Sequence, residues 1–415
     1  MAIKGEFMKY IVLLGDGMAD YPVPELNGKT PLEAASKPNM DFLAHHGEMG
    51  LVKTIPDGYP PGSDVANLSV FGYDPALFYT GRSPLEAVSM GVAMEDTDLA
   101  FRCNLITLSD EQQYQEKAML DYSAGEITTD EARELIKAIA ENLNSSELTF
   151  YPGISYRHCL IWKNGKDGLS LTPPHDISGR KIASYLPQGV NSDVFLSLMK
   201  KSEAILKNHP VNLRRIERGL NPATSIWLWG QGRKPALKPF REKYNLSGSV
   251  ISAVDLVRGI GILAGLEPIF VEGATGNLHT NYTGKAMACL RALENGSDFA
   301  YVHVEAPDEC GHQGMLDGKI TSIEKIDSEL LSPLLRGLDK WDYSILVLPD
   351  HPTPLSIRTH SREPVPYVIY RKTSQRTFNG LPLSHRRFTE KEAEKAGILI
   401  EEGHTLMDRF LSFKT

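Results

Sequence analysis

The chain has 415 residues, a length that fits two or three domains, or one large core with an insertion. Apolar residues make up 41% and charged residues 23%, which is an ordinary globular balance able to bury a sizeable core. The formal net charge of -8, with no basic total or basic face, disfavours nucleic acid as a partner. No apolar run reaches the roughly 18–20 residues needed to span a bilayer, so no membrane association is expected.

The N-terminal stretch Met1–Phe7 reads as a small extension, with Met8 an alternative start. The apolar run Tyr10–Leu14 is cut off by Gly15-Asp16-Gly17 and is too short for a signal-peptide core. Cys103, Cys159, Cys289 and Cys310 are scattered without a CxxC pair, as expected of reduced thiols in a cytoplasmic protein.

Lys9–Leu14 predicts a buried strand that runs into the Gly-Asp-Gly turn. From about residue 90 to about 235 strand patterns are weaker and Pro and Gly turns frequent. One helix stands out there, Thr128–Leu143, opening on Thr-Thr-Asp-Glu. Helical patterns cover Val250–Ala264, Thr283–Asn295 and Lys319–Arg336. Strand-like runs fall at Pro268–Glu272, Asp298–Glu305 and Tyr343–Pro349. Strands alternating with helices predict an α/β core with a mostly parallel sheet and helices on both faces. Residues 1–90 and 236–415 are expected to form that core, with 91–235 as an inserted, smaller α+β domain. In such sheets ligands gather beyond the carboxyl ends of the strands, which puts Asp16, Asp308, Asp350 and His351 on one rim.

Four segments carry the chemistry. Gly15-Asp16-Gly17 places an acid at a strand end. Pro61-Gly62-Ser63-Asp64 reads as a tight turn presenting a hydroxyl near a helix N-terminus. Asp308-Glu309-Cys310-Gly311-His312 and Asp350-His351, with His360 nine residues further on, complete the set. Taken singly, each is more often a turn former or a surface pair than a ligand; their joint occurrence at strand ends of one sheet is what points to a metal-dependent site. Mixed carboxylate and imidazole donors suit Mn²⁺ or Zn²⁺, while an all-oxygen set would suit Mg²⁺ better. Asp16, Asp308, Asp350, His312, His351, His360 and Ser63 are enough for two divalent ions about 4 Å apart, an arrangement suited to in-line phosphoryl transfer with Ser63 as nucleophile.

The motifs GDGMAD (15–20), PPGSDVANLSVFGYDP (60–75), YTGRSPLEA (79–87), GATGNLHTNYTGKA (273–286), DECGHQG (308–314), PDHPTP (349–354), THSREPVP (359–366) and FTEKEAEKAGILIEEGHTLM (388–407) resemble archaeal-type cofactor-independent phosphoglycerate mutase, of the alkaline phosphatase superfamily. The similarity runs nearly end to end. It implies an alkaline-phosphatase-like fold, one metal held by Asp16, Ser63, Asp350 and His351, and a second held by Asp308, His312 and His360. It further implies divalent ions such as Mn²⁺, Mg²⁺ or Zn²⁺, a phosphorylated Ser63, and interconversion of 3-phosphoglycerate and 2-phosphoglycerate without 2,3-bisphosphoglycerate.

On that reading the insertion is a lid that retains glycerate and excludes water. A lid needs donors for a carboxylate and a phosphate. Arg102, Arg157, His158, His175, Asp176 and Arg233 are candidates in the insertion, with Arg82 after the serine motif and Lys285 in the core. His45, His46, His209, His385 and His404 read as surface or structural. Bacterial relatives with similar motifs have been proposed as homoserine kinases, so a metal-dependent homoserine kinase and a phosphatase of the same superfamily stand as alternatives. No G-x-x-x-x-G-K-[ST] loop is present, which argues against a P-loop kinase. Oligomeric state is not legible in the sequence.

Overall fold

A computed structural model describes residues 8–373 and 386–412. The extension Met1–Phe7 and His385 lie outside the described residues. The chain separates into two compact units, Met1–Tyr79 with Leu237–Thr415, and Thr80–Ala236. The inserted unit therefore opens at Thr80, ahead of the expected 91, and takes in the YTGRSPLEA segment from its second residue.

The larger unit is built on an eight-stranded sheet. Its strands are β1 (Lys9–Gly15), β2 (Glu48–Val52), β3 (Gly248–Ile251), β4 (Glu267–Pro268), β5 (Phe299–Val304), β6 (Tyr343–Leu348), β7 (Val365–Lys372) and β8 (Leu399–Ile400). Their order is β4-β3-β5-β1-β6-β7-β2-β8. β1 is parallel to both β5 and β6, while β7 runs antiparallel between β6 and β2. The central strands are apolar because helices cover both faces: Ile11, Val12, Leu13 and Leu14 are all fully buried. Each such side chain contributes about 1.5–3 kcal/mol by leaving water. The order β5-β1-β6 places three neighbouring strand ends, at Val304, Gly15 and Leu348, along one edge.

Two sequence-based expectations in this unit are corrected. The run Pro268–Glu272 forms strand only at Glu267–Pro268; beyond it Ile269 gives one hydrogen bond to Val250 and the chain turns away. Pro268 has no N–H to offer a further partner, which suits this edge position. The predicted helix Val250–Ala264 is shorter, Asp255–Leu263, because Val250 and Ile251 belong to β3. Short apolar runs do not by themselves distinguish strand from helix. The other two helices fall where the pattern put them, at Tyr282–Glu294 and Leu316–Lys325; the latter continues through a π-helical turn, Ile326–Leu331, into Ser332–Leu338.

The inserted unit holds a five-stranded antiparallel sheet. Leu99–Leu108 pairs with Met119–Asp121, Arg157–Trp162 and Ser225–Arg233, and Leu148–Ile154 extends the sheet beyond Arg157–Trp162. All ten residues of Leu99–Leu108 are buried. The strand signal was weak in sequence because Arg102, Asn104 and Thr107 interrupt the apolar pattern. The helix Thr129–Leu143 is capped by Thr128, whose hydroxyl accepts from the Glu131 amide. Among the described residues no helix is long and apolar enough to cross a membrane.

Arg215 ties this unit together. Its buried guanidinium donates to Glu131 at 2.6 Å and to the carbonyls of Ala124 (2.7 Å) and Asn221 (2.9 Å). Arg215→Met is expected to destabilise the insertion by about 3 kcal/mol, since Glu131 loses its buried cation and two carbonyls lose a donor. Urea denaturation followed by Trp227 and Trp229 fluorescence checks this; an unchanged midpoint would contradict it.

Candidate metal centre

Asp16 follows β1, Asp308 lies in the first turn of the helix Ala306–Gln313 after β5, and Asp350-His351 follows β6. The strand order therefore brings Asp16 to Asp308 and Asp350, although it lies roughly 300 residues from both in the chain. Ser63 opens the helix Ser63–Val70, where unpaired backbone amides favour an anion. The oxygen and nitrogen atoms of Asp16, Asp350 and His351 lie within 4.8 Å of one another, as do those of Asp308, His351 and His360. His312 joins the second group, with Nε2 3.3 Å from Asp308 and 2.9 Å from His360 Nε2.

The hydrogen bonds settle where the imidazole protons sit. His312 Nδ1 is 3.0 Å from the Arg358 carbonyl and His360 Nδ1 is 3.4 Å from the Pro61 carbonyl. A carbonyl only accepts, so each Nδ1 carries a proton, and in the neutral ring each Nε2 is a lone pair. Thr353 Oγ1 gives its one proton to Asp308 Oδ1 and so accepts from His351 Nδ1 at 3.3 Å. His351 Nε2 is then a lone pair as well. It lies 3.1 Å from Ser63 Oγ, 3.4 Å from Asp350 and 3.6 Å from Asp16. In their neutral forms the three rings turn Nε2 lone pairs toward three carboxylates in one small space; until a cation displaces it, His312 holds its proton and shares it with Asp308.

That crowding is visible in the acid–base behaviour. Burial first, then Asp350, Asp308 and Glu305, pushes the Asp16 carboxyl well above its ordinary range. Burial alone would raise Asp308 too, but hydrogen bonds from His312 and His360 outweigh it and hold that carboxyl well below. His312, hydrogen-bonded to Asp308, is raised to about 9 against the effect of its own burial. Asp16 Oδ1 is buried with no hydrogen-bond partner. Each of these features is what a cation would relieve: an orphaned carboxylate oxygen and imidazoles turned inward as donors. The donor set fits a divalent ion of the Mn²⁺ or Zn²⁺ kind.

Sequence reasoning missed the residues that hold these side chains. His303, on β5, is fully buried and donates from Nε2 to Asp16 Oδ2 at 2.9 Å; burial lowers it to about 3, so it is neutral. Asn67 donates to Asp350 Oδ2 (2.9 Å) and to the Ser63 carbonyl (2.8 Å), while Tyr301 donates to Asn67 Oδ1 (2.7 Å). A histidine facing inward from the otherwise apolar DFAYVHVE strand was the one available signal.

The anion-binding candidates separate into two sets. Arg82, Arg102 and Arg157 gather around Glu86 on one face of the inserted sheet. Arg82 Nε lies 2.8 Å and Arg102 Nε 3.0 Å from the two Glu86 oxygens. Burial would raise Glu86, but Arg102, Arg82 and Arg157 together lower it. Arg102 also stacks over Trp229 at 4.4 Å, and the His175 ring meets the same indole at 5.2 Å. The others are not part of this cluster. His158 alternates with Arg157 and points to the opposite face, where its Nδ1 accepts from the Gly153 amide. Arg233 is held by the Thr97 and Gly165 carbonyls and Asp167, and Asp176 is exposed. Lys285, in the larger unit, is buried and donates to the His303 carbonyl at 2.7 Å.

Close packing keeps the rim tight. Gly17 has φ +62°, and a Cβ there would lie 2.5 Å from Thr353 Oγ1 and 2.8 Å from the Asp308 Cα. Gly17→Ala is expected to cost more than about 1–2 kcal/mol, the left-handed strain alone, because Asp308 must also move. Thermal denaturation checks this; an unaltered midpoint would contradict it.

The chain is similar to known proteins over nearly its whole length. The sequence model of the family described as 2,3-bisphosphoglycerate-independent phosphoglycerate mutase matches residues 44–212. A probable 2,3-bisphosphoglycerate-independent phosphoglycerate mutase of Geobacter sulfurreducens is 53% identical over 405 residues, 97% of this chain and all of that protein. The Methanosarcina barkeri 2,3-bisphosphoglycerate-independent phosphoglycerate mutase is 54% identical over 394 residues, 94% of this chain and 96% of that protein. Among solved structures, a Pyrococcus horikoshii protein superposes with a TM-score of 0.80 at 29% identity, covering 99% of both chains. A cofactor-independent phosphoglycerate mutase of Thermoplasma acidophilum gives 0.65 at 26% identity, covering 97% of this chain and 99% of that one.

Proposed function

The chain belongs to the 2,3-bisphosphoglycerate-independent phosphoglycerate mutase family, and we propose that it interconverts 3-phosphoglycerate and 2-phosphoglycerate through a phosphoserine at Ser63. The observation that carries the mechanism is the Ser63 hydroxyl at the head of a helix, 3.1 Å from His351 Nε2 and beside two Asp/His groups.

Asp16, Asp350 and His351, with Ser63, would hold one divalent ion and Asp308, His312 and His360 a second. Such a pair lowers the pKa of the serine hydroxyl and offsets charge on the phosphoryl oxygens. Ser63 Oγ forms a bond to phosphorus as the bond from phosphorus to the C3 oxygen of the substrate breaks, and that oxygen takes up a proton. The glycerate reorients. Its C2 hydroxyl then gives up a proton and attacks the phosphoserine, and Ser63 regains its hydroxyl. Protons balance over the cycle and no water is consumed, so the reaction is an isomerisation. The amides of Ser63 and Asp64 at the head of the helix favour the anionic phosphoryl group throughout. His303 and Thr353 each engage one oxygen of Asp16 and Asp308, while Asn67 and the Gly17 and His351 amides hold both oxygens of Asp350.

Arg82, Arg102 and Arg157 are assigned to binding the carboxylate and phosphate of the substrate. Guanidinium forks suit both groups, and Glu86 offsets only one of the three positive charges, leaving an excess for an anion. His158, Arg233, Asp176 and Lys285, which are engaged elsewhere or exposed, are assigned no direct contact. The homoserine kinase alternative gains no support from the relatives above, which are named as mutases.

A coupled enolase assay with 3-phosphoglycerate and Mn²⁺, lacking 2,3-bisphosphoglycerate, is expected to give turnover that chelator abolishes and Mn²⁺ restores. Absence of isomerisation in metal-loaded protein would overturn the reading. Ser63→Ala is expected to lower kcat by more than about a thousandfold while metal binding stays largely intact, since Asp16, Asp350 and His351 remain to hold that ion. A residual tenth of activity would exclude a covalent phosphoserine. Asp308→Ala is expected to reduce bound metal from two ions to one, measured by elemental analysis of the purified protein; two retained ions would refute the assignment.

A further inference from the structure

The side chains that face the metal centre, Ser63 apart, come from three segments: the loop after β1, the helical segment after β5, and the stretch after β6. All three meet at one buried ammonium. Lys319, on the helix Leu316–Lys325, has a side chain with no exposure. Its Nζ donates to Asp20 Oδ2 at 2.6 Å, to the Thr353 carbonyl at 2.8 Å and to the Ala19 carbonyl at 3.1 Å. An ammonium has three N–H bonds, and these acceptors use all of them.

Each acceptor is close in the chain to a ligand. Ala19 and Asp20 follow Asp16 on the same loop. Thr353 follows His351, and its hydroxyl links Asp308 to His351 Nδ1. The Thr353 amide in turn donates to the Ala19 carbonyl at 3.2 Å. Asp20 continues the tie: its Oδ1 accepts from the amides of Tyr21 (2.8 Å) and Leu355 (3.2 Å). A buried Lys–Asp pair is a weak source of net stability, because desolvation offsets most of the attraction. Its physical effect here is to fix the separation of two loops and a helix.

We infer that Lys319, together with Asp20, is a positioning residue for the metal centre, setting the spacing between the two ligand groups so that both ions are held at once. The inference rests on the reading of the rim as a two-metal site. It has a consequence of definite sign. As a cation near Asp308, Lys319 opposes metal binding through space, so removing its charge alone would tighten the ions. Removing its three hydrogen bonds would loosen them. The two effects run in opposite directions, and the inference requires the second to win.

The test is calorimetric titration of chelator-treated full-length protein with Mn²⁺, alongside steady-state kinetics. Lys319→Met/Asp20→Asn replaces the pair with neutral groups of similar size and keeps an acceptor for the Tyr21 and Leu355 amides. It is expected to bind Mn²⁺ about 10- to 100-fold more weakly than the wild type, with kcat lower by a similar factor and KM for 3-phosphoglycerate little changed. Affinity equal to or tighter than wild type, with only the unfolding midpoint lowered, would overturn the inference. If the double variant does not fold, Asp20→Asn alone carries the test: weaker Mn²⁺ binding supports the positioning role and unchanged binding refutes it. A wild-type chain that takes up fewer than two ions would instead sink the two-metal reading itself, and the inference with it.

Discussion

A shortage of positive charge at the carboxyl edge of the sheet governs the rest of this structure. Asp16, Asp308 and Asp350 share that edge with the inward-facing Nε2 atoms of His312, His351 and His360. Left alone, such a cluster repels itself, and the chain meets the cost in part by taking up protons, as the raised Asp16 and His312 indicate. Burying unpaired charge is otherwise too expensive for a fold of marginal stability. The surrounding structure is arranged to keep this unfavourable geometry: neutral His303 holds one Asp16 oxygen, Asn67 holds Asp350, and Thr353 sits between Asp308 and His351.

How much of this the sequence discloses depends on the range of the interaction. Asp16, Asp308, Asp350 and His351 were legible because each follows a strand that reads as apolar, and parallel sheets collect ligands at those ends. Ser63 was legible from the Pro-Gly turn before a helix. Asn67 and Thr353 were not, since an amide inside a helix and a threonine after Asp-His-Pro are ordinary in isolation. Lys319 looked like one more charge in a helical pattern, yet it has no exposure. The role inferred for it rests on contacts to Ala19 and Asp20, 300 and 299 residues away, and to Thr353, 34 residues away, which no local pattern encodes.

The same limit explains the errors in the fold. Val250 and Ile251 fit a helical stripe and a strand equally well, and only pairing with β5 decides between them. In the inserted unit Leu99–Leu108 carries Arg102, Asn104 and Thr107 among apolar residues, which lowers its strand signal. Those polar residues are buried because they have partners: Arg102 has Glu86 and Trp229, Asn104 accepts from the Trp229 indole, and Thr107 donates to the Pro222 carbonyl. Arg157 and His158 were grouped as neighbours in sequence, and strand alternation sends them to opposite faces.

The two units carry opposite imbalances. The larger concentrates carboxylates at the end of its sheet, where their need is for cations. The inserted unit concentrates Arg82, Arg102 and Arg157, where burial and like charge lower the Arg102 guanidinium to about 10 even with Glu86 beside it. An arginine excess of this kind attracts anions directly, while a carboxylate excess accepts an anion only once cations are present. On the proposed reading, anion recognition and metal loading are separate physical requirements, carried by different residues. Arginine substitutions should act first on substrate affinity, and substitutions around Asp16, Asp308 and Asp350 first on metal content. That separation lets the chemistry at Ser63 be read apart from the choice of substrate.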